Sequence, residues 1–201
     1  MDNTRSRGSA VPIVLLAWFA GAASFAATIK LASLPKPVIP LFILTPVALV
    51  LLAYFRSATT RAVVDAIDLR WLIALHIVRA PIGAAFLVYE SRGELIKDFA
   101  FPAAAGDILA GVMAVAALLA VPMVTRGRYR LVRIWCIIGL LDMIMVVISA
   151  QRVIFFRGGF DAMAAFNEFP FPMLPLFLVP LIISSHVIIL QRLRDEPARV
   201  G

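Results

Sequence analysis

The length of its apolar runs limits this chain more than anything else in it. A helix that crosses a bilayer needs about 20 apolar residues. Six stretches meet or approach that length, at about 11–33, 38–55, 71–90, 101–124, 131–153 and 172–191. Hydrocarbon offers no partner to a bare backbone N–H or C=O, so such stretches must satisfy their own hydrogen bonds as helices. The expected fold is therefore all-α: a polytopic transmembrane helical bundle of about six spans, a single integral membrane domain over 1–201 with the lipid bilayer as its main partner. Only 15% of the residues are charged, against about 25% in a soluble domain.

Proline and glycine punctuate these runs. Pro35 and Pro37 flank Lys36 and force a tight break between the first two spans. Pro102 and Pro172 fall in first turns, where a missing N–H costs nothing. Pro46, Pro81 and Pro180 lie inside spans and free the carbonyls of Phe42, Ile77 and Leu176. The polar stretch Arg56 to Arg70 is read as a surface helix in which Arg61 and Asp65 pair four residues apart. Gly158-Gly159 predicts a turn, followed by Phe160, Phe166, Phe169 and Phe171 resting near the headgroups.

The formal charge is +7. Arg5, Arg7, Arg56, Arg61, Arg70, Arg126, Arg128, Arg130, Arg133, Arg192, Arg194 and Arg199 fall on one side of the expected spans. Lys30, Lys36, Arg92, Lys97, Arg152 and Arg157 fall on the other. This bias predicts that both termini are cytoplasmic. No basic patch is interleaved with exposed aromatics, so nucleic acid is not an expected partner. Arg5 and Arg7 ahead of an apolar run, then Ser24-Phe25-Ala26, have the outline of a cleavable signal. The run continues through Leu34, which favours a retained helix.

Against this background five ionisable side chains stand out inside the spans: His76, Arg79, Asp107, Asp142 and His186. A charge near the bilayer centre costs about 3 kcal/mol and by default marks a functional site. His76, Arg79, Gly83 and Glu90 share one helical face, and Trp135, Gly139, Asp142 and Ser149 share another. Asp107 lies in a stripe with Ala103, Ala110, Gly111 and Ala114, small residues that let helices approach closely in lipid. Counting rise from the expected span ends gives a ladder. The histidines lie toward the cytoplasm, Arg79 pairs with Asp142 at mid-depth, and Asp107 and Glu90 lie toward the outside. One arginine against two aspartates leaves an excess negative charge, which calls for a proton or a cation.

The expected function is small-solute or proton-coupled transport along this polar path. A second expectation is a non-catalytic membrane partner or regulatory subunit, alone as a homo-oligomer or within a complex. A third is a redox module with one haem b between His76 and His186. All five residues lie in spans three to six, which argues against a three-plus-three inverted repeat. The single cysteine, Cys136, allows no intramolecular disulfide and reads as a small core residue. No hydrolase, zinc-protease, phosphate-loop or dinucleotide motif is present, so nothing points to an enzyme. Ser184 and Ser185 make poor partners for His186, because adjacent helix positions diverge by about 100°.

Three stretches together resemble a group of bacterial multi-pass membrane proteins of unknown activity. They are Arg79-x3-Gly83-x2-Phe86-Leu87; Phe99-Ala100-x-Pro102-Ala103-x2-Gly106-Asp107-x3-Gly111; and Trp135-x3-Gly139-x2-Asp142 followed by Pro175-x-Phe177-Leu178-Val179-Pro180-x5-His186. The resemblance spans about 71–193. The chain departs from the group's pattern at Ala105, where Trp is expected, and at Cys136, where a polar residue is expected. It implies a six-helix protein of the bacterial inner membrane and carries no activity with it.

Overall fold

The computed structural model describes residues 10–122 and 125–195. Arg5, Arg7 and Arg199 of the charge count, and the last two residues of the expected fourth span, lie outside them. Every regular element among the described residues is helical. Six helices are long and apolar enough to cross a membrane: Val11–Thr28, Lys36–Arg56, Leu69–Ser91, Lys97–Leu119, Arg126–Phe156 and Leu174–Asp195. By contact the chain forms two compact units, Met1–Asp68 with Phe166–Ser184, and Leu69–Ala165 with Ser185–Gly201.

The first unit contains α1 (Ala10–Thr28), α2 (Leu41–Arg56) and α3 (Ala58–Asp65). Between α1 and α2 the chain makes two short 3-10 turns, Leu31–Ser33 and Lys36–Val38, the second starting where Pro35 and Pro37 demand a break. Ser57 caps α3 by accepting from Thr60 N at 3.1 Å. Arg61 and Asp65 pair at 3.6 Å, as their spacing predicts, and Tyr54 donates to Asp65 at 2.9 Å. Ahead of Pro180 the backbone widens into a π-turn, Leu174–Leu178, with Val179 N–H reaching back to Leu174 O. The Leu176 carbonyl that Pro180 leaves free accepts the indole N–H of Trp18 at 3.0 Å. Ala22, Met173 and Leu176 form a small core there, covered by Trp18, Phe25, Phe42 and Phe177. Of the phenylalanines expected at the headgroups, Phe166 and Phe171 pack against each other and are buried, and only Phe169 is exposed.

The second unit holds α4 (Leu69–Ala74), a 3-10 segment (Leu75–Val78), α5 (Arg79–Ser91), α6 (Lys97–Leu119) and α7 (Arg126–Phe156), with the C-terminal part of α8 (Val179–Asp195). Pro81 cannot donate to Ile77 O and its ring crowds that carbonyl, so the backbone just ahead of it tightens into the 3-10 form. α6 begins four residues before the sequence expectation. Asp98 sits in its first turn, where the helix dipole favours an acid, and pairs with Arg157 at 2.9 Å. α5 and α6 approach very closely: a Cβ on Gly83 would meet Ala104 O at 2.8 Å, and one on Gly111 would meet Ala80 N at 2.5 Å. This is the small-residue packing that stands in for the hydrophobic effect in lipid. α7 has 31 residues, about 46 Å, and outreaches a hydrocarbon core of about 30 Å. Toward its N-terminal end Ile73, Ala114, Ala117, Val132, Trp135, Ile189 and Leu193 make a dry core. Phe160, the remaining aromatic of the loop between α7 and α8, is also buried.

Candidate functional site

Beside that core, the second unit gathers all five embedded ionisable residues. Arg79 opens α5 directly after the 3-10 segment and is 1% exposed. Its Nε donates to Asp107 Oδ1 at 2.7 Å, its Nη1 to Gly139 O at 3.1 Å, and its Nη2 to Asp142 Oδ2. Every nitrogen of the guanidinium is engaged, by α6 on one side and α7 on the other. The planar fork of arginine makes this possible, and lysine could not reproduce it. Asp107 is nearly enclosed, at 5% side-chain exposure, while Asp142 is 20% exposed.

The expected ladder is corrected at one rung. Asp107 does not stand apart as an outer carboxylate; it shares Arg79 with Asp142. Because α6 starts at Lys97, Asp107 lies ten residues in, about 15 Å from the helix start. Arg79 lies the same ten residues beyond Leu69. Glu90 is 11 residues past Arg79, about 16 Å further along the chain axis, and is only half-buried. It takes no part in the cluster.

Backbone shape holds the carboxylate in place. Gly106, next to Asp107, has no room for a side chain, because a Cβ there would run into the carboxylate of Asp142. Gly139 leaves a similar gap. A Cβ there would meet His186 Cε1 at 2.8 Å, His186 Nε2 at 2.9 Å and Arg79 Nη1 at 3.3 Å. Gly139 therefore stands between the ion cluster and the second half of the site, the two histidines.

His76 and His186 are fully buried, with ring centroids 4.0 Å apart and planes tilted by 42°. Trp135 stands edge-on to His76 at 5.1 Å, and its indole N–H donates to Ala110 O at 3.0 Å. His76 Nε2 lies 3.0 Å from Ser185 Oγ, and His186 Nδ1 lies 3.2 Å from Cys136 Sγ. The other nitrogen of each ring, His76 Nδ1 and His186 Nε2, has no hydrogen-bond partner among the described residues. These contacts add Cys136, Ser185, Gly106 and the Gly139 carbonyl to the residues that sequence singled out. Ser185 was weighed only against His186 on its own helix, but its partner is His76 on another.

This geometry does not fit a haem held between the two histidines. A metal–imidazole bond of about 2 Å on each side would separate the ring centroids by about 6 Å. The rings are closer than that, in direct tilted contact. Among the described residues no group of three or more His, Cys, Asp or Glu is arranged to hold a metal ion.

No curated protein and no solved structure matches this chain. Residues 36–194 match the model of a family described as a domain of unknown function, DUF8737. That stretch contains every residue of the ion cluster and the histidine pair, and most of the chain, so the chain belongs to this family.

Proposed function

We propose that this is a multi-pass protein of the bacterial inner membrane, with both termini cytoplasmic, that couples to proton movement through the Asp107–Arg79–Asp142 cluster. One observation carries the reading: a single guanidinium is shared by two carboxylates, the buried Asp107 and the half-buried Asp142. Formally the cluster holds one negative charge too many. In a low-dielectric interior that excess is costly, so the stable form binds one proton or one monovalent cation. Asp142 is the more exposed carboxylate and is the point of exchange. Asp107 holds the arginine in place. The paired histidines lie beyond Gly139 and form the cytoplasmic side of the path.

A second reading is supported by the completeness of Arg79's hydrogen bonding. A fully satisfied arginine also ties helices together, as a membrane subunit serving a partner complex would need. A pH-jump assay in liposomes separates the two. Asp142→Asn and Asp107→Asn are expected to remove proton flux while the protein still runs as a folded species in detergent. Replacing external potassium by sodium at constant pH tests whether a cation substitutes for the proton. Unchanged flux in both variants sinks the transport reading. No flux in wild type, with a stoichiometric partner co-purifying, favours the subunit.

A further inference from the structure

We infer that Cys136 and Ser185 lock the two buried histidines into opposite tautomers, leaving two bare lone pairs that take and return the proton of the Arg79 cluster. This rests on the proton reading above and names the next stop on its route. Four ring nitrogens are present, and two have partners. The Cys136 thiol donates to His186 O at 3.3 Å. A thiol has a single proton, so the contact at 3.2 Å between Sγ and His186 Nδ1 is made with the proton on nitrogen. His186 is then the Nδ1–H tautomer, and its Nε2 is bare. Inside a helix, the Ser185 hydroxyl can donate to the carbonyl four residues back. Ser185 Oγ can then accept from His76 at 3.0 Å. His76 is the Nε2–H tautomer, and its Nδ1 is bare.

The two bare atoms are the ones with no partner among the described residues. A buried polar atom without a partner is rare and calls for a reason, of which a chemical role is one. His186 Nε2 and Arg79 Nη1 both lie against Gly139, at 2.9 Å and 3.3 Å from where its Cβ would be. A hydrogen in place of a side chain keeps that side of His186 open toward the cluster. The groups facing the pair are Arg79 from α5, Cys136 from α7 and Ser185 from α8, with Asp107 of α6 and Asp142 of α7 reached through Arg79. The step is a simple transfer. A carboxyl O–H in the cluster breaks, an N–H forms at His186 Nε2, and the same proton leaves again to Nδ1 of His76 or back to the carboxylate. Nothing is oxidised or reduced.

The chain has only two histidines, so 15N-histidine labelling gives four ring signals without overlap. The test is 15N NMR of the full-length labelled protein in lipid vesicles, with proton flux measured on the same sample. Wild type is expected to show Nδ1–H at one histidine and Nε2–H at the other. Cys136→Ala should turn the first into a tautomer mixture, and Ser185→Ala the second. Gly139→Ala should leave both tautomers in place and slow flux about a hundredfold, the cost of a misplacement of an ångström. The same tautomer at both rings in wild type, or no response to Cys136→Ala and Ser185→Ala, overturns the lock while leaving the ion cluster's role standing. Locked tautomers in a protein with no proton flux overturn the relay together with the proposed function.

Discussion

The two units hold their helices together by different chemistry. In the first, the contacts are apolar or neutral: Trp18 on the Leu176 carbonyl, Trp18 edge-on to Phe177 at 4.9 Å, Phe25 against Phe42 at 5.2 Å. Its ion pairs lie outside the apolar interior, as in Lys30–Glu168 at 3.2 Å with both side chains about two-thirds exposed. The second unit buries an arginine, an aspartate and two histidines, with a second aspartate half-buried beside them. Among its described residues the first unit is thus assembled without buried charge. Ion pairs removed from water recover their desolvation penalty poorly, and apolar replacements are often neutral or stabilising. The ionic interior of the second unit therefore calls for a reason beyond cohesion, and the proposed proton exchange would be one.

Removing the cation should break this contrast most severely. Arg79→Leu strands two carboxylates in a dry interior and is expected to cost about 3–5 kcal/mol, read as loss of folded yield and of the thermal transition in detergent. The sharper test is the triple variant Arg79→Leu, Asp107→Asn, Asp142→Asn. It removes all three charges, so most of the lost stability should return. Its proton flux should stay at zero. A triple variant that conducts as wild type would mean that the cluster is only a tie, and the units would then differ in style and not in purpose.

Next in size is a comparison of glycines. Gly139→Ala pushes a methyl into His186 and Arg79, and overpacking of that kind costs about 1–3 kcal/mol. Gly21→Ala, in α1 of the first unit, meets no heavy atom within 4 Å and should gain about 0.5–1 kcal/mol from reduced backbone freedom. Thermal unfolding of the two variants in the same detergent gives the comparison directly. Equal, harmless effects would show that the interior around Gly139 is loose, and the separation of cluster from histidines would lose its basis.

The sequence made the membrane helices readable because hydrocarbon thickness imposes a length that few other constraints mimic. It also singled out Arg79, Asp107, Asp142, His76 and His186, because charge within such runs is rare. Depth was harder. A span that starts at about 101 puts Asp107 four residues too near its start, because Lys97 and Asp98 already form the first turn of α6. A few residues of boundary error amount to about 6 Å of depth, enough to separate two groups that touch. The roles of Cys136 and Ser185 are not legible in the sequence, for a different reason. Both are small and lack charge, and only helix pairing, which one sequence does not encode, brings them onto the histidines. Gly106 likewise has nothing in its neighbours to announce Asp142 from another helix. The prolines fared better: the carbonyl freed by Pro180 is the one that Trp18 binds.

That last contact yields the smallest effect and a clean test of how the first unit is held. Trp18→Phe keeps a ring against Phe177 and removes only the indole donor to Leu176 O. The expected loss is about 0.6 kcal/mol, the average for a hydrogen bond between membrane helices, measured by unfolding in mixed micelles. Its cause can be checked by Pro180→Ala, which supplies a backbone N–H for the Leu176 carbonyl. In that background the carbonyl has a second donor, so Trp18→Phe should cost less than it does alone, and the cycle should show a positive coupling between the two sites. Independent, additive effects would mean that the indole does not answer the carbonyl that Pro180 frees. The first unit would then rest on ring packing alone, with a still wider gap between its chemistry and that of the charged unit.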